Sequence, residues 1–237
     1  MEIKTLSTGS KEGNCFVISD GHTKLMLDCG ISIKKIQKAL NFKLREVKAC
    51  LVTHRHGDHT KGLVGMLNLE IESYIGAKEI EKLGINHHRL NGIEAMEQFQ
   101  IGTWTILPFD VQHDTEQPLG YLMQSSATGE KLLFATDTYY IEYYFSGMTH
   151  MLIECNHSLE ILTKNIENGT LPLYRAKRVS ESHFSIENLL VFLKACDLSE
   201  LQEIRLIHLS NTNSAADHFK DVIQKATGVP TYIEGGE

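Results

Sequence analysis

A layered α/β fold is what this sequence predicts, on three observations. Strand-like and helix-like segments alternate through two successive halves of the chain, which favours layered α/β over an all-β sandwich. At 237 residues, 42% hydrophobic and 22% charged, the chain suits one domain, 1–237, with a sizeable core. No internal repeat, low-complexity run or long Pro/Gly/Ser linker interrupts it.

The elements follow in order. Residues 16–20 and 23–30 read as strands around the turn Asp20-Gly21. Ile33, Ile36, Ala39 and Leu40 recur at helical spacing within 31–40. Residues 48–54 form an apolar strand that runs into polar residues. The stretches 62–69 and 77–84 read as helices, the second stopping at Gly84. Residues 101–112 read as two strands, followed by strands at 121–126 and 131–137 around a charged turn at Gly129-Glu130. A helix-rich insertion is expected at about 138–182. Beyond it come a helix at 185–196, a strand at 204–210, a helix at 215–226 and a last strand at 230–233.

Composition narrows the classes of function. A formal net charge of -7 argues against a protein that coats nucleic acid through bulk charge. The five cysteines include no C-x-x-C pair, and neither a signal-length apolar run nor a membrane span is visible. A cytoplasmic chain with reduced thiols is expected (host cytoplasm if the gene is viral). The unusual count is 12 histidines.

Three of them fall in Thr53-His54-Arg55-His56-Gly57-Asp58-His59, where an apolar strand ends in a polar loop. His54 and His56, two apart on a strand end, project to the same side and can share one ion. Asp58 and His59, one step round the turn, can face a second. Zinc or manganese accepts this mixture of nitrogen and oxygen.

The H-x-H-x-D-H run resembles the signature of the metallo-β-lactamase-fold hydrolases. Further segments resemble the other motifs of that superfamily in order. Asp28 in LMLDCG resembles the buttressing carboxylate. His113, Asp114, Pro118, Gly120 and Tyr121 resemble the H-D-x-x-x-P-x-G-Y pattern of the small YycJ-like branch, as STGSKEGNC resembles its amino-terminal motif. Asp137 in FATD resembles the metal-bridging aspartate, and His208 in IHLS the final histidine. Ser182-His183-Phe184-Ser185 resembles the G-H-[LS]-[ST] element of tRNase Z-related and YycJ-like phosphodiesterases, with Ser182 in place of the usual Gly. Glu154-Cys155-Asn156-His157 resembles an acidic strand-end motif, with Ser158 where that branch commonly has Asp.

The resemblance implies a four-layer αββα sandwich, two β-sheets flanked by helices. It implies two divalent ions per chain, zinc ahead of manganese. His54, His56 and His113 would hold one, Asp58, His59 and His208 the other, with Asp137 bridging. It also implies phosphodiester hydrolysis, in which Asp58 orients the nucleophile and His183 protonates the leaving oxygen.

Substrate contacts are expected from Tyr139, Tyr143, Asn156, His157, Arg175 and Arg178. The tyrosines could stack on a base or pack the insertion onto the domain. The basic run 174–178 could clamp a phosphate or be a solvated face. Size and acidity put a cyclic mononucleotide slightly ahead of a nucleic-acid polymer, as in phage phosphodiesterases that destroy cyclic-nucleotide defence signals. A YycJ-like exonuclease is the alternative, and a thioester or lactone hydrolase the further one. A homodimer is expected on the frequency of two-fold assemblies.

Overall fold

The computed structural model describes residues 1–235. They fall into two compact units, Met1–Asp110 with Thr115–Glu130, and Val111–Asp114 with the chain from Lys131 onward.

In the first unit a six-stranded sheet runs in sequence order: β1 (Glu2–Ser7), β2 (Cys15–Ser19), β3 (Lys24–Leu27), β4 (Val47–Leu51), β5 (Glu72–Gly76) and β6 (Leu90–Ile93). β1, β2 and β3 are antiparallel neighbours, and β3 to β6 are parallel. Helices α1 (Ile33–Ala39), α2 (Gly57–Thr60), α3 (Leu63–Asn68) and α4 (Ala77–Leu83) supply the connections. Alternate residues of the strands point to opposite faces. Val17, Met26 and Cys50 join a cluster with Ile36, Leu63 and Met66. On the other face Phe16, Ile18, Leu25, Leu27 and Leu51 are fully buried as well. A sheet buried on both faces needs continuous apolar runs, which FVIS and KLML provide. The same unit holds the antiparallel strands β7 (Phe99–Ile101), β8 (Trp104–Asp110) and β9 (Leu119–Ser125). Trp104 is fully buried and donates through its indole N–H to the Thr23 carbonyl at 3.0 Å.

The second unit is built on parallel strands in the order β13-β12-β11-β10. They are β10 (Lys131–Ala135), β11 (His150–Glu154), β12 (Glu203–Ile207) and β13 (Thr231–Ile233). Crossover helices connect them: α5 (Leu159–Glu167), α6 (Leu173–Ser182), α7 (Ile186–Ala195) and α8 (Ala216–Thr227). Ser158 caps α5 and Ser185 caps α7, each accepting first-turn backbone N–H groups. The expected helix-rich stretch 138–182 thus carries α5 and α6, and also β11, whose five residues are all buried. An apolar run that short has no period to separate strand from helix.

β3, β10 and β12 are each followed within two residues by a non-glycine residue with left-handed backbone. These are Asp28 at φ 54°, Asp137 at 49° and His208 at 54°. Such conformations are sparsely populated and gather where a site needs a side chain aimed off the strand axis. All three are motif residues.

Candidate active site

The first unit gathers one half of the motif set. Asp28 is fully buried behind the end of β3 and accepts from the Thr53 N–H at 2.8 Å, the Thr53 hydroxyl at 3.1 Å and His59 Nδ1 at 2.7 Å. Burial pushes its carboxyl up from the ordinary value, against the opposing pull of His59 and Thr53. Donation from Nδ1 fixes the His59 tautomer and leaves Nε2 as the lone-pair nitrogen. Asn14 Nδ2 lies 3.1 Å and Asp58 Oδ2 3.6 Å from that Nε2. Because the Thr53 hydroxyl proton goes to Asp28, its oxygen accepts from His54 Nδ1 at 3.1 Å. His54 Nε2 then lies 3.0 Å from His56 Nδ1, a separation that requires a proton or a cation between the two nitrogens.

Backbone contacts seat this turn. Asn14 N–H donates to Asp58 O at 2.7 Å, Cys29 N–H to His59 O at 2.9 Å and Gly30 N–H to Asn14 O at 2.7 Å. Tyr121 donates to Val52 O at 2.6 Å and Leu119 N–H to Thr53 O at 2.9 Å, so the P-x-G-Y segment holds the strand end that carries His54.

The second unit gathers the other half. Asp137, after β10, lies 3.7 Å from His113 Nε2 and 3.3 Å from His208 Nδ1. His113 donates through Nδ1 to the Ser182 carbonyl at 3.0 Å, which turns its Nε2 lone pair toward Asp137. Burial, with the charge of His183, holds the His113 imidazole below its usual pKa despite Asp137 and Asp114.

Glu154, fully buried at the end of β11, organises this half. Its Oε1 accepts from His183 Nδ1 at 2.8 Å and His208 Nδ1 at 2.7 Å. Its Oε2 accepts from the N–H groups of Thr138 at 3.0 Å and Phe184 at 3.1 Å. Burial alone would raise this carboxyl, but the charge of His183 and the two imidazole hydrogen bonds hold it down at about 2. Asp137, Glu154, His183 and His208 bring one donor atom each within 4.8 Å of one another. The His183 ring stacks on that of His208 at 5.2 Å, and 17% of its side chain is exposed.

The donor chemistry fits divalent ions. His59 and His208 each give Nδ1–H to a buried carboxylate, and His113 gives its own to a backbone carbonyl. That pattern orients the other nitrogen of a metal-binding imidazole.

The remaining expected site residues lie as follows. Tyr139 and Arg178 line a cavity of about 490 Å³ that includes His113. Arg175 is exposed but is not among its lining residues. Tyr143 lies against Phe145, ring centroids 6.4 Å apart. Asn156 is buried and donates to His208 O at 2.8 Å. His157 is fully buried, and neither ring nitrogen has a hydrogen-bond partner among the described residues. Asn14, Lys177 and Glu154 stood in the sequence only within the runs STGSKEGNC, 174–178 and 154–157, with no individual role. The acidic residue closing the apolar run HMLI was the available signal.

Two mixed sheets flanked by helices, with histidines and carboxylates at the strand ends, define a metallo-hydrolase fold. The family described as Beta-lactamase superfamily domain matches residues 23–208, and the chain belongs to it. Exodeoxyribonuclease YycJ of Bacillus anthracis is 26% identical over 231 residues, which cover 90% of this chain and 84% of that protein. Anti-Pycsar protein Apyc1 of Bacillus phage 010DV004 is 34% identical over 92 residues, 35% of this chain and 34% of that one. The crystal structure of the metallo-β-lactamase fold protein YhfI from Bacillus subtilis superposes with a TM-score of 0.74. It is 13% identical and covers 98% of this chain and 95% of that one. The protein is therefore an enzyme, a metal-dependent hydrolase with the αββα architecture of its superfamily. No helix among the described residues is long and apolar enough to cross a membrane.

Proposed function

We propose that this chain is a metal-dependent phosphodiesterase acting on nucleotide phosphodiester bonds, with a DNA end as its first substrate. The observation that carries the reading is the bonded run His183–Glu154–His208. It sets a partly exposed imidazole, its Nδ1–H given to Glu154, beside Asp137 and His208, so that the protonated ring can pass its Nε2 proton to a leaving oxygen and return to the neutral form. Superfamily membership and the order of the motifs support two ions, zinc ahead of manganese. His54, His56 and His113 would hold one, and Asp58, His59 and His208 the other, with Asp137 available between them. Bound ions supply Lewis-acid stabilisation of charge at the reacting phosphate. Asp58 orients the attacking water. As the bond from phosphorus to the leaving oxygen breaks, His183 Nε2 protonates that oxygen.

The substrate order rests on the extent of the matches. The exodeoxyribonuclease relative aligns over 90% of this chain and the Anti-Pycsar relative over 35%. Opening of a cyclic mononucleotide is the second reading, favoured by a net charge of -7 that gives little long-range attraction to a polyanion. The proposal extends to a homodimer in the cytoplasm, which light scattering and fractionation test.

The deciding experiment is a hydrolysis panel with zinc- or manganese-loaded protein, wild type beside His183→Ala. It contains single- and double-stranded DNA, cyclic pyrimidine and purine mononucleotides, and a thioester. Shortening of DNA, slowed roughly 10²–10⁴-fold in the variant with metal content intact, supports the first reading. Opening of a cyclic mononucleotide with DNA untouched establishes the second. Activity on the thioester alone overturns both.

A further inference from the structure

α6 is a polar helix with a patterned face. Tyr174, Lys177, Arg178 and Glu181 recur at the three- and four-residue spacing that places side chains side by side. That face lines the cavity of about 490 Å³ together with His113 and Tyr139. The volume falls within the roughly 300–1,000 Å³ of small-ligand sites. Within the second unit the cavity thus joins a candidate metal ligand to two aromatic rings and two cations.

The two cations differ in what holds them. Arg178 lies 3.2 Å from Asp114 Oδ2 and is paired with that carboxylate. Among the described residues Lys177 has a solvent-exposed side-chain contact with Glu181 at 3.8 Å, a pairing that a phosphate readily replaces. Asp114 and Glu181 are each matched by a cation, and Lys177 is the cation with the weaker hold. Tyr174 is 73% exposed, and Tyr139 also presents surface to the cavity. Most of Tyr174 is open to solvent. It offers a flat surface to a base.

We propose that this face of α6 recognises the substrate beyond the scissile bond: Lys177 grips the adjoining phosphate, and Tyr174 and Tyr139 flank the base. The proposal rests on the phosphodiesterase reading and narrows its substrate to a strand with at least two phosphates. Arg178 stays paired with Asp114 and takes no part in that grip.

The test compares two probes, a single-stranded oligonucleotide and bis(p-nitrophenyl) phosphate, which has the bond but neither a second phosphate nor a base. The quantity read is the ratio of kcat/KM values, oligonucleotide over small diester. Lys177→Ala is expected to lower that ratio about tenfold through KM and to flatten the logarithmic salt dependence by about 0.7. Lys177→Arg restores both. Tyr174→Ala lowers the ratio to a similar extent. Equal losses on both probes from Lys177→Ala, or no loss, overturn the proposal. Should the wild type hydrolyse neither diester, the phosphodiesterase reading fails on its own. Binding of a fluorescent oligonucleotide then decides the question for α6, and equal affinities of wild type and Lys177→Ala overturn it.

Discussion

Gly30→Ala tests how tightly the metal-binding turn is seated on the chain beneath it. A Cβ at Gly30 would lie 1.6 Å from Asp58 O, 2.3 Å from the Asp58 carbonyl carbon and 2.7 Å from Asn14 N. These are backbone atoms, and reaching even 3.0 Å from the oxygen requires a displacement of about 1.4 Å. The same backbone carries the Asn14-to-Asp58 and Cys29-to-His59 hydrogen bonds, so the turn cannot yield without moving two candidate ligands. A misplacement of about 1 Å costs on the order of 10²-fold in rate, and overpacking costs about 1–3 kcal/mol. Expected, then, are a kcat/KM on bis(p-nitrophenyl) phosphate lowered at least about 10²-fold, reduced metal content by elemental analysis, and a Tm lower by several degrees. Gly21→Ala is the control, since its added Cβ meets nothing within 4 Å although φ is +86°. It should lose stability and keep its metal. Wild-type rate and metal content in Gly30→Ala would refute the reasoning.

Three further outcomes follow from single contacts. Glu154→Gln keeps the shape but removes the charge facing His183 and His208, so activity or metal affinity should fall about 10–100-fold in titrations with zinc. Tyr121→Phe deletes the 2.6 Å bond to Val52 O and should cost about 1 kcal/mol in urea denaturation. Asp20 accepts from Thr103 and Ser125 hydroxyls and the N–H groups of His22 and Thr23, and despite the opposing effect of burial these bonds hold its carboxyl well below the usual range. A lowered folded-state pKa gives stability that is present above the unfolded value, about 3.9, and lost as pH falls below it. The Tm gap between wild type and Asp20→Asn should therefore narrow from about pH 6 to about pH 3, as thermal melts across that range would show.

Legibility in the sequence followed the distance along the chain over which each feature is encoded. His54, His56, Asp58 and His59 stand within one turn after an apolar strand, so their shared chemistry is local and readable. The short apolar runs that became β2, β3, β4, β10 and β12 are readable for the same reason, as is the helix stopped by Gly84 in left-handed geometry. β1, β5 and β6 escaped because polar residues and Gly92 interrupt their apolar runs, and β11 because HMLI has no period that separates strand from helix. The contacts that orient the histidines are long-range: Asp28 meets His59 across 31 residues, Glu154 meets His183 across 29 and His208 across 54. No pattern within a window encodes such meetings. The left-handed turns at Asp28, Asp137 and His208 were equally silent, because any residue type in that region is there under constraint from its surroundings. α6 makes the same point from the surface: its spacing was in the sequence, but only the fold brought Tyr174 and Lys177 to the cavity that holds His113. Residue types and order therefore determined the class of chemistry. Which carboxylate holds which imidazole, and so which nitrogen is left to bind or to donate, was decided by tertiary packing, since hydrogen-bond geometry exists only between groups the fold has brought together.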